Sequence, residues 1–158
     1  MEFVIISVGK LKDKAIRLLV EEYGKWLRKY SKVTLIEVKD EGEVKNASEE
    51  DLEILREKEA EQIRKHLKTG YKVALAIEGK SFTSENFALE IERVKTYHSS
   101  KIYFIIGGSY GMSKTLKKEM DLLISFSEFT FPHQLMRVIL LEQLFRSMKI
   151  LNNEPYHK

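Results

Sequence analysis

Four short apolar runs, at residues 3–8, 33–38, 72–77 and 102–106, constrain this chain more than any other feature. Three of them are nearly continuous Val, Ile, Leu and Phe rather than alternating, the pattern of strands covered on both faces. Strands of that kind pair in parallel and need crossover connections. The sequence between them supplies such connections. Residues 13–28 set Ile16, Leu19, Val20, Tyr23 and Leu27 at three- and four-residue spacing, the period of an amphipathic helix. Residues 48–67 open on Ser48, a helix-capping residue, followed by Glu49, Glu50 and Asp51, whose charges suit the positive end of a helix. Thr83 or Ser84 caps a third helix reaching about Tyr97. The alternation predicts an α/β domain with a mainly parallel sheet and helices on both faces.

A chain of 158 residues is long enough for one domain that buries roughly two-thirds of its unfolded surface. Residues 1–158 are expected to form that single domain, because the charged stretch 40–47 is too short for an interdomain linker and reads as a loop. Cysteine is absent, which excludes disulfide frameworks, cysteine zinc sites and cysteine nucleophiles. No run approaches the roughly 20 apolar residues of a membrane span. Met1-Glu2-Phe3 puts an acid where a secretory signal carries positive charge, so the expected location is the cytoplasm. The 27 Lys and Arg nearly balance the 24 Asp and Glu, for a net charge of +3. That average hides a basic beginning, Lys10, Lys12, Lys14, Arg17, Lys25, Arg28, Lys29 and Lys32, and an acidic middle between residues 40 and 61. The basic stretch reads either as a surface for RNA phosphates or as an ordinary solvated helix face.

Beyond residue 106 the pattern changes. Gly107-Gly108-Ser109-Tyr110-Gly111 forms a sharp glycine turn, followed by a short helical piece at 113–120 and a fifth strand, Leu122–Ser125. The turn has the wrong spacing for a dinucleotide fingerprint, and Gly79-Lys80-Ser81 lacks the first glycine of a Walker loop because position 74 is Ala74. Gly79 and Gly107 still stand at strand ends, where an open α/β sheet binds ligands; simple tight turns explain them equally well. Phe126, Phe129 and Phe131 then fall within six residues. Either they pack on the core, or their backbone lines a site for a flat, polar-edged ligand such as adenine.

The last helix, at 134–151, is apolar around most of its circumference. Such a helix is buried, against a second subunit in a symmetric dimer or as a central core helix. Glu142 and Arg146 have the spacing of an ordinary ion pair. Arg137 lies on another side and needs a carboxylate, a phosphate or a ligand of its own.

These segments also form a recognisable set. Ile105-Ile106-Gly107-Gly108-Ser109-Tyr110-Gly111, Leu123-Ile124-Ser125-Phe126-Ser127, Thr130-Phe131-Pro132-His133-Gln134, Arg137-Val138 and Pro155-Tyr156-His157-Lys158 occur in order, with Ser7-Val8-Gly9-Lys10 and Ile77-Glu78-Gly79-Lys80 before them. In this combination, over the whole chain, the sequence resembles the ribosomal large-subunit pseudouridine N3-methyltransferases of the SPOUT superfamily. The resemblance implies a homodimeric α/β domain with a C-terminal trefoil knot. It implies S-adenosylmethionine as cofactor, contacted at Leu75, Gly107, Gly108 and the loop Phe126, Ser127, Glu128, Phe129, Thr130 and Phe131. It implies a pseudouridine of 23S rRNA in the assembled ribosome as substrate, and no metal. Removing the N3 proton of the base calls for a general base: His157 is the candidate for that base or for positioning the substrate, Tyr156 for stacking on the base, and Arg137 for orienting a phosphate or steadying negative charge on the ring; His133 approaches the cofactor loop. Lys158 stands where the family often ends in Arg, and lysine lacks the planar fork of a bidentate phosphate contact. Two other classes are consistent with parts of the sequence: a non-catalytic ribosome-associated dimeric module of the same fold, and a flavodoxin-like small-molecule protein.

Overall fold

The computed structural model describes residues 1–156. Its elements run β1 (Glu2–Val8), α1 (Lys14–Leu27), β2 (Lys32–Val38), α2 (Glu49–Arg64), β3 (Tyr71–Ser81), α3 (Ser84–Tyr97), β4 (Lys101–Ile106), α4 (Lys114–Lys118), β5 (Leu122–Ser125) and α5 (His133–Leu151). The strands form one sheet in the order β2-β1-β4-β3-β5, and every neighbouring pair is parallel.

Continuous apolar runs make sense in such a sheet, because alternate residues feed two cores. Phe3, Ile5, Val73, Ile102, Phe104 and Ile106 pack with α1, α3 and α5 on one face. Val4, Ile6, Val8, Ala74, Tyr103 and Ile105 pack with α2 and α4 on the other. The helices begin where their caps predict. Asp13 accepts the Ile16 N–H, and Thr83, rather than Ser84, accepts the Asn86 N–H. Ser48 and Asp51 exchange backbone N–H bonds in a complete capping box, which satisfies two otherwise orphaned donors.

Two elements depart from the simple sequence reading. Helix α5 packs between α1 and α3, and Leu140, Leu141 and Leu144 are fully enclosed by their own chain. Its apolar circumference is therefore largely a core property. A half-buried stripe through Leu135 and Ile139 remains on its outer side. Strand β3 does not stop near Ile77, and Gly79 is not a turn beyond it. Leu75 pairs with Ile124, the chain leaves the ladder, and Lys80 pairs with Ile124 again. Residues 76–79 thus form an excursion within one strand. A Cβ built on Gly79 would lie 2.6 Å from both the backbone N and C of Ile124, so only glycine allows β3 to pass this close to β5.

Candidate functional site

The site follows from the crossovers. Strands β3 and β4 are neighbours, but β3 leads to α3 on one face and β4 leads to α4 on the other. Adjacent strands that feed opposite faces open a crevice beyond their carboxyl ends. A cleft of about 370 Å³ occupies that edge of the sheet. Its walls are the β3 excursion, the turn after β4 and the loop after β5, with His133 and Met136 of α5 closing it.

Each wall is held by short-range geometry. In the turn after β4, Gly111 has φ +82° and its N–H donates to the Gly108 carbonyl. A Cβ on Gly107 would sit 2.7 Å from the Gly111 oxygen, so the two arms of the turn touch through backbone alone. In the loop after β5, Ser125 Oγ donates to the Ser127 carbonyl and Ser127 Oγ accepts from the Phe129 N–H. Phe126 meets Phe87 edge-on at 6.1 Å and belongs to the core, whereas Phe129 is 78% exposed at the cleft mouth. Phe126 therefore serves both roles considered for the cluster, packing on the core and lining the cleft, as Phe129 and Phe131 also line it. Across the cleft, Lys117 Nζ lies 2.5 Å from Glu78 Oε1, and this hydrogen bond holds the Glu78 carboxyl below its usual range.

Leu75, Gly107, Gly108, Phe126, Ser127, Phe129, Thr130 and Phe131 all line this one cleft. Glu128 shares the loop and is exposed but is not among the residues lining the cleft. Sequence reasoning missed Glu78, Tyr110, Met112, Lys117 and Met136 as lining residues. Glu78 and Tyr110 were at least visible as neighbours of glycines; Lys117 and Met136 are ordinary helix residues with no local signal.

His133 lines the cleft as a partly buried ring. Burial, reinforced by the Arg137 charge, pushes its pKa down, with the Asp40 charge opposing, which favours the neutral imidazole. Arg137 is 4% exposed and does not reach the cleft. Its carboxylate partner is Glu37, at 2.8 Å, and it also donates to the carbonyls of Val8 and Gly9. The guanidinium thereby fixes the turn between β1 and α1. Tyr156 also lies outside the cleft of its own chain. Its ring packs on Phe145 and under Arg146, and its hydroxyl donates to Glu142; burial pushes that hydroxyl's pKa up. The Glu142–Arg146 ion pair forms as the spacing predicts. His157, the candidate base, lies outside the described residues.

One buried acid supports the site from behind. Glu59 of α2 is 4% exposed, accepts the Glu41 N–H, and would stand 3.0 Å from a Cβ on Gly108. Burial raises its pKa, and the Asp40 and Glu41 charges add to that against the hydrogen bond. A carboxyl with a raised folded-state pKa contributes stability below its unfolded value and loses it as pH rises through the folded one. Glu59→Gln keeps the acceptor oxygen and removes the charge. It is expected to melt higher than the unsubstituted protein at pH 8, with the gap closing as pH falls below the carboxylate range; a gap that ignores pH in thermal melts would contradict an ionising Glu59.

The cleft has the size and lining of a small-molecule site: its volume falls within the roughly 300–1,000 Å³ of such sites, and its walls combine apolar side chains, glycine backbone and the Glu78–Lys117 ion pair. No helix among the described residues is long and apolar enough to cross a membrane. Fold and cleft together define an α/β protein with a small-molecule site at a topological switch point. The chain belongs to the SPOUT methyltransferases: the family described as "Predicted SPOUT methyltransferase" matches residues 1–157. Ribosomal RNA large subunit methyltransferase H of Shouchella clausii is 48% identical over 159 residues, covering 100% of both chains. The protein of the same name from Clostridium botulinum is 47% identical, again over 100% of both chains. Among solved structures, a "probable methylase family protein" from Haemophilus influenzae has the same fold with a TM-score of 0.52 at 9% identity. The match covers 96% of this chain and 66% of that longer one.

Proposed function

We propose that this chain is an S-adenosylmethionine-dependent methyltransferase, working as a cytoplasmic homodimer of single-domain subunits with the C-terminal knot of its family. Its substrate is N3 of a pseudouridine in 23S rRNA of the assembled ribosome. The observation that carries this reading is the cleft, where the glycine turn, the loop after β5 and Leu75 of β3 converge. Those are the segments that the family resemblance assigns to the cofactor. The full-length relatives named as large-subunit rRNA methyltransferases supply the substrate class. Exposed Leu18 and Leu19 on α1, with the outer stripe of the neighbouring α5, supply apolar surface for a second subunit.

Leu75, Gly107, Gly108 and the 126–131 loop would hold the cofactor, largely through backbone groups. When bound, it supplies an electrophilic methyl carbon on a sulfonium. The remaining work belongs to the chain: align the base with that carbon and accept the N3 proton. Tyr156 and His157 act from the partner subunit, Tyr156 by stacking on the base and His157 by taking the proton. Arg137 acts through the Val8–Gly9 turn rather than on the substrate.

The decisive experiment incubates the protein and S-adenosylmethionine with large subunits from a strain lacking this methyl group, then locates the product by mass spectrometry. A methyl on N3 of a single 23S pseudouridine is expected. Absence of cofactor binding in calorimetry would instead favour a non-catalytic module. His157→Ala is expected to slow single-turnover methylation by about 100-fold, the scale of general-base catalysis, while cofactor affinity stays near normal. Unchanged turnover would remove His157 from the chemistry.

A further inference from the structure

The basic stretch noted in the sequence separates into two groups in space. Lys25, Arg28 and Lys29 lie at or beyond the last turn of α1, next to the start of β2. Lys10, Lys12, Lys14 and Arg17 lie on the turn after β1 and the first turn of α1, at the carboxyl edge of the sheet. That is the edge holding the cleft. Ser7 pairs with Ile106, so Gly9 stands beside the glycine turn, and a Cβ on it would lie 3.7 Å from Nε2 of the cleft residue His133. The cations begin at the next residue.

This turn is rigidly built, although its side chains are exposed. Glu37 accepts the Leu11 N–H, Gln134 accepts the Lys12 N–H, Arg137 donates to Gly9, and Arg17 donates to the Leu11 carbonyl at 2.7 Å. Four side chains from three elements therefore fix a five-residue backbone whose own lysines point into solvent. Among the described residues, none of Lys10, Lys12, Lys14 and Arg17 forms an ion pair. Other cations, such as Lys25, Lys58 and Lys68, are likewise without an ion pair among the described residues, whereas Arg56, Arg64 and Arg93 are matched to glutamates; what sets Lys10, Lys12, Lys14 and Arg17 apart is their place on a fixed turn beside the cleft. The nearby acids only partly offset the patch: Asp13, which caps Ile16, and Asp40, which lies against Gly9 near His133, face four cations. The α1 terminus is already capped, so the side chains rather than the helix N–H groups are the available donors.

We propose that Lys10, Lys12, Lys14 and Arg17 form the surface that docks the phosphate backbone flanking the target nucleotide. The inference rests on the methyltransferase reading above and assigns the RNA contact to one edge of the subunit. Unpaired cations on a preset backbone bind polyphosphate by releasing counterions, without first breaking protein ion pairs. Their adjacency to the cleft fixes where the strand enters.

The test compares two triple variants of equal charge change. One is Lys10→Gln, Lys12→Gln, Lys14→Gln. The other is Lys58→Gln, Lys65→Gln, Lys68→Gln, exposed lysines of α2 and the turn that follows it. Equilibrium binding to unmethylated large subunits is measured at several salt concentrations, with cofactor affinity and melting temperature alongside. The first triple is expected to bind at least about 10-fold more weakly and to flatten the logarithmic salt dependence by about 2, as expected for roughly three lost phosphate contacts. Cofactor affinity should not change, and the second triple should bind within twofold of the unsubstituted protein. Replacing the same three lysines with arginine should restore binding and guards against a folding artefact. Equal weakening by both triples, or an unchanged salt slope in the first, overturns the proposal. Wild-type protein that binds subunits through these lysines yet transfers no methyl overturns the functional reading and supports the surface.

Discussion

Gly79→Ala is expected to lower the stability of the protein by about 3 kcal/mol or more and to abolish cofactor binding with it. The added carbon would stand 2.6 Å from the backbone N and C of Ile124 and 2.7 Å from the backbone C of Leu123. No side-chain rotation relieves a clash with backbone, so β3 and β5 must separate, and overpacking of that kind lies at the upper end of its usual cost. The loss is large against a typical total of roughly 5–15 kcal/mol. It also acts where function lies, because Leu75 to Glu78, just before Gly79, form one wall of the cleft. Gly42→Ala is the control. Gly42 has φ +77° but nothing within 4 Å of a Cβ, so only the conformational penalty of about 1–2 kcal/mol applies. Urea melts of the two variants test the comparison. Equal stabilities would mean that β3 does not approach β5 as closely as described.

Arg137→Met should produce the second large effect, a loss of about 2–3 kcal/mol from acceptors left without their donor; Glu37, whose side chain is 38% exposed, can be resolvated and adds little. Three bonds disappear together: those to Glu37, Val8 O and Gly9 O. Two of the acceptors are backbone carbonyls, and a buried acceptor that loses its donor carries a desolvation penalty. Arg137→Lys should recover only part, since an ammonium cannot span the three acceptors that the guanidinium fork reaches. Chemical denaturation gives the stabilities. Large-subunit binding gives a second readout, because the turn that Arg137 fixes also presents Lys10 and Lys12. A Met variant as stable as the unsubstituted protein would show that the Glu37–Arg137 link is dispensable.

The legibility of the fold was uneven for a physical reason. Strands β1, β2 and β4 and helices α1, α2 and α3 are written in local periodicity and caps, such as the Ser48–Asp51 box. The glycine turn and the loop after β5 were also visible, as Gly107-Gly108 and as three clustered phenylalanines. What local pattern could not reveal was the use of each residue. Arg137 had a missing partner in sequence, but only folding brought Glu37, 100 residues away, to within 2.8 Å of it. Glu59 looked like one more acid on a charged helix until the structure buried it beneath Gly108.

By itself, the sequence determined a mainly parallel α/β sheet, because both faces of each central strand are apolar and need helices over them; that every pair is parallel is a finding of the structure. It also determined the family, through motifs kept in order along the whole chain. Only the tertiary structure decided that β3 leaves its ladder and returns, that eight of the expected cofactor residues share one cleft, and that four of the early cations stand at its edge. These are facts of long-range register and backbone approach. They depend on which strand lies beside which, and no window of neighbouring residues contains that information.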